Sequence, residues 1–356
     1  MKPSNLEALG WDSWFGEQAR LRCGPTGAVA RVAAVDRDQL LLLNEAGSFR
    51  AKLSGKFMYE SPSSLELPCV GDWVCVEKSQ ADQFGLVRGV LGRKTRLRRK
   101  AAGESVEYQM IAANVDVVII VQSCHYDFNL KRLERYLVMV RDGEATPYVL
   151  LTKIDLVRPE VLAAQVAQIK SAAVTAPVLT LSNVTREGID ELKGVLSPGK
   201  TYCFVGSSGV GKSTIINGLV GRAVLETKLV SGTGEGRHTT VRRELILLEN
   251  GAMVIDNPGM REFGVLGAEE GIDASYSDIV ALSSQCHFRD CTHTNEPSCA
   301  VLKALETGEM DAGHYQNFVK LRGESEYYEL SAAEKRKKEK DFGRFIKSAK
   351  KDLERD

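Results

Sequence analysis

The stretch GSSGVGKST occupies residues 206–214 and matches the phosphate-binding pattern G-x-x-x-x-G-K-[ST]. An apolar strand ending in Phe204 and Val205 precedes it, and a helix is predicted to begin near Lys212, which is the context that this loop requires. Backbone N–H groups would converge on phosphates at the positive end of that helix. The sequence therefore predicts a P-loop, although it lies past the middle of a chain of 356 residues.

Each position of the loop has an expected role in holding a nucleotide. Lys212 would reach the β- and γ-phosphates, the Ser213 hydroxyl would bind Mg²⁺, and Thr214 would place its amide near the α-phosphate. A chance Gly/Ser turn is the alternative, but every fixed position and both flanks agree with the motif. The pattern predicts nucleotide binding without identifying the base. The predicted phosphate-binding residues are Gly206, Ser207, Ser208, Gly209, Val210, Gly211, Lys212, Ser213 and Thr214.

A base-reading loop is predicted upstream of the P-loop, where the strand YVLL ends in TKID, residues 152–155. Asp155 could accept two hydrogen bonds from guanine N1–H and N2–H₂, a donor pair that adenine lacks, while the stem of Lys153 could lie on the ring. The usual guanine pattern is N-K-x-D. Thr152 replaces its Asn, and a hydroxyl would tie this loop to the P-loop less fully than an amide. The predicted base-binding residues here are Thr152, Lys153, Ile154 and Asp155.

The next strand, VLTLSN, supports a guanine site. Its end, Ser182-Asn183, lies where a second loop would offer a backbone N–H to guanine O6. The tetrapeptide TKID is common at strand ends, so neither loop identifies the base alone. Together they predict guanine.

Two switch segments are expected downstream of the P-loop. In LVSGTGEGRHTTVRRE, Thr239 or Thr240 could bring a hydroxyl to Mg²⁺ when a γ-phosphate is present; a mobile linker is the alternative. In VIDNPGM, residues 254–260, Asp256 could hold Mg²⁺ through water and Gly259 could give its N–H to the γ-phosphate.

The group that would orient the attacking water is not evident. Many GTPases carry a Gln after the switch glycine, but this chain has Met260, which cannot orient water. Another group, or a partner, would have to supply that function. His238 is the nearest catalytic candidate in sequence, and a surface histidine in a basic loop is the alternative interpretation.

The segment CHFRDCTHTNEPSC, residues 286–299, has the spacing C-x4-C-x-H-x5-C. Three thiolates and one imidazole suit a closed tetrahedral zinc site, which is structural because no position is left open for substrate. His287 would be a spare histidine. A chance set of buried thiols is the alternative. The predicted zinc ligands are Cys286, Cys291, His293 and Cys299.

The region before the nucleotide motifs is rich in short strands. RVAAV, QLLLLN, GSFRAKL, DWVCVE and FGLVRGV, separated by turn residues, predict a small closed barrel of the OB type, which either binds oligonucleotides or is purely structural. The following segment RGVLGRKTRLRRK, residues 88–100, holds seven cations and no acid. It is either a solvated linker or a contact for phosphate backbones.

From about Ala112 strands alternate with helices, which predicts a parallel sheet with helices on its faces. ELILLENGAMVIDNPG reads as a hairpin around Asn250-Gly251, and the chain turns helical from about Gly267. The expected fold is a multidomain α/β protein. The expected divisions are an N-terminal extension at 1–28, the barrel at 29–100, a P-loop domain at 104–266 and a helical zinc domain with its tail at 267–356.

Composition narrows the class of protein. The chain is 43% hydrophobic and 26% charged with a formal net charge of zero, so no global electrostatic argument favours nucleic acid or membrane. No apolar run approaches a membrane span and no signal pattern is evident, which favours a cytoplasmic protein without membrane contact. We expect five scattered cysteines to be buried thiols: Cys23, Cys69, Cys75, Cys124 and Cys203.

In its order of motifs the chain resembles the ribosome small-subunit-dependent GTPase A family (RsgA, also called YjeQ), the circularly permuted GTPases of bacteria. The matching elements are TKID, GSSGVGKST, GRHTT, DNPG and the Cys/His cluster, with GDWV at 71–74 and FNLKRLERYL at 128–137 as lesser ones. Three residues depart from the common family pattern: Thr152, Glu134 in place of Asp, and Asn257 in place of Thr.

The resemblance implies a fold of OB-type barrel, circularly permuted GTPase domain and zinc domain. It implies weak intrinsic GTP hydrolysis with Mg²⁺, stimulated by the small ribosomal subunit, and a role in late maturation of that subunit. It also implies that the barrel and zinc domain contact ribosomal RNA, and we expect a monomer. The family carries a hydrophobic residue at the position of Met260, and a catalytic role for His238 is a hypothesis.

Two other functions are considered. A P-loop kinase or ATPase acting on a small molecule is disfavoured by TKID and by the lack of spare catalytic carboxylates near the loop. An RNA-binding module with a structural guanine nucleotide stays open on sequence alone, and turnover measurements with and without small subunits distinguish it from an enzyme.

Overall fold

The computed structural model describes residues 5–24, 27–37, 39–61, 63–78, 84–100, 108–221, 243–256 and 268–329. Five residues of the predicted switches lie outside the described residues: His238, Thr239, Thr240, Gly259 and Met260. The described part of the chain contains no helix with both the length and the apolar character needed to cross a membrane.

The N-terminal extension folds as helix α1 (Ser13–Arg22). Asp12 caps it, because its side chain accepts hydrogen bonds from the backbone N–H groups of Trp14 and Phe15. Directly after the helix, Cys23 forms a disulfide with Cys75, and their Cα atoms are 5.1 Å apart. The expectation of a free thiol is therefore wrong for these two cysteines, which the fold brings together across 52 residues. Cys69, Cys124 and Cys203 are buried thiols outside any disulfide, as expected.

Five strands form the predicted closed barrel. Its strand order is β1-β2-β3-β5-β4, closed by antiparallel pairing of β1 with β4, and β3 and β5 are parallel. Small and branched side chains fill the interior, among them Val32, Leu42, Val74 and Val87. A short helix, α2 (Gly55–Glu60), follows the third strand. The strands are β1 (Ala28–Val35), β2 (Leu40–Asn44), β3 (Gly47–Leu53), β4 (Trp73–Lys78) and β5 (Gly85–Val90).

Arg31 of strand β1 joins three parts of the molecule and is 1% exposed. Its guanidinium donates to the backbone oxygens of Leu9, Gly71 and Asn114 and to Thr201 Oγ1 at 2.8 Å. Burial lowers the pKa of Arg31 to about 10, against the charges of Asp116 and Asp72. The N-terminal extension, the barrel and the central domain are therefore held at one buried cation.

The basic segment continues from β5 into strand β6 (Arg96–Lys100), which pairs with β7 (Tyr108–Ala113). Five of its seven cations pair with acids that come from elsewhere in the chain, so the lack of acids within the segment does not leave it uncompensated. Arg93, for example, donates two hydrogen bonds to the buried Asp72. The compensated pairs are Arg88–Glu77, Arg93–Asp72, Lys94–Asp12, Arg96–Glu144 and Arg98–Asp142.

A six-stranded sheet forms the centre of the molecule, in the order β10-β9-β8-β11-β13-β12. All neighbours are parallel except the edge strand β12, which forms the predicted hairpin with β13. The branched side chains of VVIIV make β8 buried on both faces. The strands are β8 (Val117–Ser123), β9 (Thr146–Thr152), β10 (Val178–Leu181), β11 (Thr201–Val205), β12 (Leu245–Leu247) and β13 (Met253–Asp256).

Helices cover both faces of this sheet, as predicted. Leu133 and Ile169 pack into the core on one face, whereas Leu192 and Ile215 pack into the core on the other. The helices are α3 (Leu130–Asp142), α4 (Pro159–Ser171), α5 (Ile189–Val195) and α6 (Lys212–Val220).

The C-terminal region is helical and packs on α3. Its own core contains Tyr276, Val301 and Phe318, and it includes Val138 of α3. Gly271 lies so close to α3 that a Cβ atom there would be 2.4 Å from the backbone oxygen of Val138. The helices are α7 (Glu269–Ser275), α8 (Ser277–Ser283), α9 (Ala300–Glu306) and α10 (Ala312–Glu329).

Candidate nucleotide site and metal cluster

The predicted nucleotide residues meet at one edge of the central sheet. Parallel strands present their carboxyl ends at the same edge, where ligands of open α/β sheets bind. The P-loop follows β11, TKID follows β9, Ser182 follows β10, and Asp256 ends β13. The chain therefore brings the upstream base loops and the later P-loop to one place.

Glycines give the P-loop its conformation. Gly206 has φ +143°, and a Cβ atom there would be 2.2 Å from the backbone oxygen of Val121 on β8. Gly211 has φ +99° and directly precedes α6, so the helix begins at Lys212 as predicted. Side chains are therefore excluded from the points where the loop turns and passes the sheet.

Lys212 is buried and bonds to its own loop. Its Nζ donates to the backbone oxygens of Gly206, at 2.7 Å, and Ser207, at 2.5 Å. Burial lowers the pKa of Lys212 to about 8, against the charges of Asp256 and Asp127. The Lys212 ammonium group thus bonds to the first two residues of the loop.

Asp256 carries a buried carboxylate at the end of β13. Both its oxygens lack a hydrogen-bond partner among the described residues, and the residue is 2% exposed. Burial raises the pKa of Asp256, and Lys212 opposes that shift. Unpartnered carboxylate oxygens are a donor set that suits a hard cation such as Mg²⁺, and Ser213 offers a hydroxyl in the first turn of α6.

Thr152 links the base-reading loop to the P-loop. Its buried hydroxyl lies 2.7 Å from the backbone oxygen of Val210 and 3.2 Å from that of Gln122. A hydroxyl has one proton, so the shorter contact, to Val210, is the better hydrogen bond. The threonine that replaces the usual Asn thus still ties the two loops together.

The two base-reading loops also contact each other. Ser182 donates from its hydroxyl to Asp155 Oδ1 at 2.5 Å, and its oxygen accepts from the N–H groups of Val184 and Thr185. Asp155 is otherwise exposed, while Lys153 adopts the left-handed conformation with φ +59°. A Cβ atom at Gly211 would be 2.9 Å from Nδ2, the side-chain amide nitrogen of Asn183. The loops after β9, β10 and β11 therefore form one connected surface.

The predicted metal ligands converge in the C-terminal region, within 4.8 Å of one another. Nδ1 of His293 lies 3.6 Å from Cys286 Sγ and 3.5 Å from Cys299 Sγ, and the two sulfurs are 3.8 Å apart. A tetrahedral zinc ion separates two bound sulfurs by about 3.8 Å and a sulfur from a nitrogen by about 3.5 Å. The cluster of Cys286, Cys291, His293 and Cys299 thus fits a tetrahedral metal ion.

Neighbouring residues fix the shape of the cluster. Glu296 accepts hydrogen bonds from the backbone N–H groups of Thr292, Thr294 and Asn295. Tyr315 of α10 donates to the backbone oxygen of His293 at 2.7 Å. His287 is exposed and outside the cluster, as expected for a spare histidine.

The sequence predicts no spare catalytic carboxylate near the P-loop, but the structure places Asp127 there. Asp127 lies in the connection between β8 and α3, and the pKa of its carboxyl group is raised by burial and lowered by Arg132, Ser207 and Lys212. β8 pairs directly with β11, so the segments that follow the two strands are neighbours. The position of Asp127 just beyond a central strand was the signal that could have identified it.

Comparison with known proteins agrees with this architecture. The RsgA GTPase family model matches residues 90–266. A relative from Opitutus terrae named small ribosomal subunit biogenesis GTPase RsgA is 40% identical over 332 residues, covering 90% of each chain. RsgA 2 from Listeria monocytogenes is 42% identical over 324 residues, covering 91% of this chain and 90% of the relative. The crystal structure of YjeQ from Thermotoga maritima has a TM-score of 0.63 at 28% identity, covering 83% of this chain and 97% of that chain.

The order of the motifs along the chain agrees with the sequence prediction of a permuted domain. The base-reading strands β9 and β10 precede the P-loop strand β11, and β13 with Asp256 follows it. Identity of 40% over nine-tenths of the chain extends from the barrel to the Cys/His cluster. The chain therefore belongs to the RsgA GTPase family and is a GTP hydrolase built on a circularly permuted P-loop domain.

Proposed function

We propose that this protein hydrolyses GTP to GDP and phosphate in a cycle that the small ribosomal subunit stimulates, and that it acts in late maturation of that subunit. The observation that carries the GTP site is the connected surface in which Thr152 contacts Val210 and Ser182 contacts Asp155. The names of the relatives, small ribosomal subunit biogenesis GTPases, support the choice of partner.

In the proposed site, Asp155 accepts hydrogen bonds from the N1–H and N2–H₂ groups of guanine. Ser182 already orients one of its oxygens, which leaves the other free for the base. Lys153 covers the ring with its methylene stem, and the Ser182-Asn183 segment offers an N–H to guanine O6. Adenine offers no such pair of donors to this carboxylate, so the site prefers guanine.

The phosphates lie in the loop from Gly206 to Gly211, at the N-terminus of α6. Lys212 exchanges its two carbonyl partners for β- and γ-phosphate oxygens, while Ser213 and Asp256 hold Mg²⁺, directly or through water. When bound, Mg²⁺ neutralises charge that develops on the β- and γ-phosphates. Gly259 and either Thr239 or Thr240 complete the proposed set of residues that contact the γ-phosphate and Mg²⁺.

Hydrolysis is proposed to be slow without a partner. Met260 offers no hydrogen-bonding group for the attacking water, so orientation depends on His238 or on a group that the subunit brings into place. His238→Ala tests this: we expect subunit-stimulated turnover to fall while GDP affinity is kept. Unchanged stimulated turnover would exclude a catalytic role for His238.

The barrel and the metal domain are proposed to contact ribosomal RNA, and the metal is proposed to be one structural zinc ion. Ion pairing of residues 88–98 weakens the electrostatic case for that segment, so RNA contact is proposed for the domains as a whole. A cytoplasmic monomer is part of this proposal, because the proposed partner is an assembling subunit.

Two other functions remain as outcomes of the test. A P-loop ATPase or kinase requires a site without guanine preference, and the contact between Asp155 and Ser182 disfavours it. An RNA-binding module with a structural nucleotide would bind guanine nucleotide without turnover.

The test is phosphate release from GTP and from ATP, each with and without purified small subunits, beside cosedimentation with GDP or a non-hydrolysable GTP analogue. We expect slow GTP turnover that small subunits accelerate and large subunits do not. Lys212→Ala, which removes the phosphate contact, is the inactive control. Equal turnover of ATP and GTP, or no turnover of GTP under either condition, would overturn the proposal.

A further inference from the structure

Unpartnered polar atoms concentrate beside the P-loop. Within the described part of the chain, seven buried side-chain polar atoms lack a hydrogen-bond partner, and four of them belong to Asp127, Arg132 and Asp256. Such atoms are costly when nothing pairs with them, so each calls for an explanation. The proposed Mg²⁺ site accounts for Asp256, whereas nothing described so far accounts for Asp127 and Arg132.

These two residues form an ion pair at the start of α3. Arg132 lies 2.8 Å from Asp127 Oδ1 and also donates to the backbone oxygen of Asp127. Oδ2 of Asp127 and Nε of Arg132 are buried without a partner among the described residues. The pair therefore keeps one free acceptor and one free donor.

Asp127 lies beside the P-loop, because it follows β8, which pairs with the P-loop strand β11. Burial raises the pKa of Asp127, while Arg132, a hydrogen bond from Ser207, and Lys212 lower it. Ser207 is the second residue of the loop and Lys212 is its lysine, so the pair lies beside the segment proposed to enclose the phosphates.

Capping of α3 does not explain the pair. Asn129 is the N-cap residue, and its side chain accepts from the N–H of Arg132 at 2.9 Å. The Asp127 carboxylate is therefore not needed to begin the helix. A carboxylate alone at this place would repel phosphates, and the Arg132 guanidinium cancels that charge.

We propose that Asp127 and Arg132 are a charge-balanced positioning pair for the phosphate site, an inference that rests on the proposed nucleotide site. Asp127 lies beside the P-loop strand's partner, at the end of β8, and Arg132 keeps the Asp127 carboxylate neutralised there. Removing Arg132 alone leaves an uncompensated negative charge beside the nucleotide. Removing both charges restores the balance.

The test measures the dissociation constants of GMP, GDP and a non-hydrolysable GTP analogue for the full-length protein and its variants. For Arg132→Gln we expect weaker binding of GDP by about tenfold to a hundredfold, with a loss that increases from GMP to the GTP analogue. Asp127→Asn should weaken GDP binding less than Arg132→Gln does. The double variant Asp127→Asn/Arg132→Gln should recover most of the GDP affinity lost in Arg132→Gln. Asp190→Asn/Lys193→Gln, which neutralises an exposed pair on α5, should match the wild type.

Equal losses for all three nucleotides, no recovery in the double variant, or wild-type affinity in Arg132→Gln would each overturn the inference. Melting temperatures of all variants identify a folding defect, and the recovery in the double variant separates charge balance from loss of packing. Failure of the wild type to bind GDP would instead contradict the proposed function. The two failures are therefore distinguishable.

Discussion

Nδ1 of His314 lies 2.6 Å from Oε1 of Glu134, and both side chains are buried where α10 of the C-terminal region meets α3 of the GTPase domain. Asp278 of α8 lies 3.2 Å from the other ring nitrogen of His314. Asn317 donates to the second oxygen of Glu134 at 2.6 Å and also contacts the Tyr276 hydroxyl. A histidine between two carboxylates therefore joins the metal domain to a helix that begins beside the P-loop.

The stability of this junction should depend on pH. Burial by itself lowers the pKa of His314. Hydrogen bonds and charges from Asp278 and Glu134 outweigh burial and raise that pKa to about 9. A histidine in the unfolded chain titrates near pH 6.5. The stability that protonated His314 contributes to the folded protein is therefore fully present below about pH 6.5 and is lost as pH rises through about 9. The melting temperature of His314→Gln should lie below that of the wild type at pH 6, and the difference should shrink towards pH 10.

Differential scanning calorimetry across that range measures the difference. His287→Gln, which changes an exposed histidine, is the matched control and should follow the wild type at every pH. A melting-temperature difference for His314→Gln that stays constant from pH 6 to pH 10 would contradict a protonated His314 at the junction.

Gly206→Ala should abolish nucleotide binding. The residue has φ +143°, and the added Cβ atom would meet the Val121 backbone oxygen at 2.2 Å, so the loop must move away from β8. We expect GDP binding below detection by isothermal titration calorimetry. Gly194→Ala is the control, since nothing lies within 4 Å of a Cβ atom there, and alanine favours helix α5 by up to about 1 kcal/mol. GDP binding by Gly206→Ala at wild-type affinity would show that this glycine is not required.

Thr152→Val should weaken GDP binding by up to about tenfold. The substitution keeps the shape but removes the hydroxyl donor, which leaves the Val210 oxygen of the P-loop without that bond, at a cost of about 0.5–1.5 kcal/mol. Fluorescent GDP titration measures the change. Thr180→Val, the same substitution on the neighbouring strand β10, should bind GDP as the wild type does. Equal affinities for all three proteins would mean that Thr152 does not couple the loops.

The metal cluster should hold one zinc ion per chain, measured by inductively coupled plasma mass spectrometry. Cys291→Ser removes one thiolate, so we expect most of the zinc to be lost and the C-terminal helices to become sensitive to protease. Cys124→Ser, at a buried thiol outside the cluster, should retain the metal. Full zinc content in Cys291→Ser, or none in the wild type, would contradict the assignment.

Local pattern was enough to predict the barrel, the central sheet, the P-loop and the metal cluster. Each depends on contiguous residues: alternation within the five barrel strands, β-branched residues in β8, and the spacing of Cys286, Cys291, His293 and Cys299. The P-loop glycines are required by their own backbone angles.

Contacts between distant segments could not be predicted in this way. Arg93 pairs with Asp72, 21 residues earlier in the chain, so neighbours in sequence do not show how much of the charge of residues 88–100 is compensated. Cys23 reaches Cys75 because α1 packs on β4, so neighbours in sequence do not show that these two thiols are joined. Glu134 is buried because α10 covers it, and neighbours in sequence do not show that contact. Asp127 was missed because its proximity to the P-loop depends on the pairing of β8 with β11.

The central claim is that loops from separate parts of a permuted chain form one guanine-specific site, and Asp155→Asn tests it most directly. The amide would present a donor where guanine also has donors, whereas xanthine has an oxygen acceptor at that position, and Ser182 can keep its bond to Oδ1. Titration of both proteins with GDP and XDP should show GDP affinity falling by at least about a hundredfold and XDP affinity rising. Unchanged GDP affinity in Asp155→Asn, with no gain for XDP, would contradict the claim.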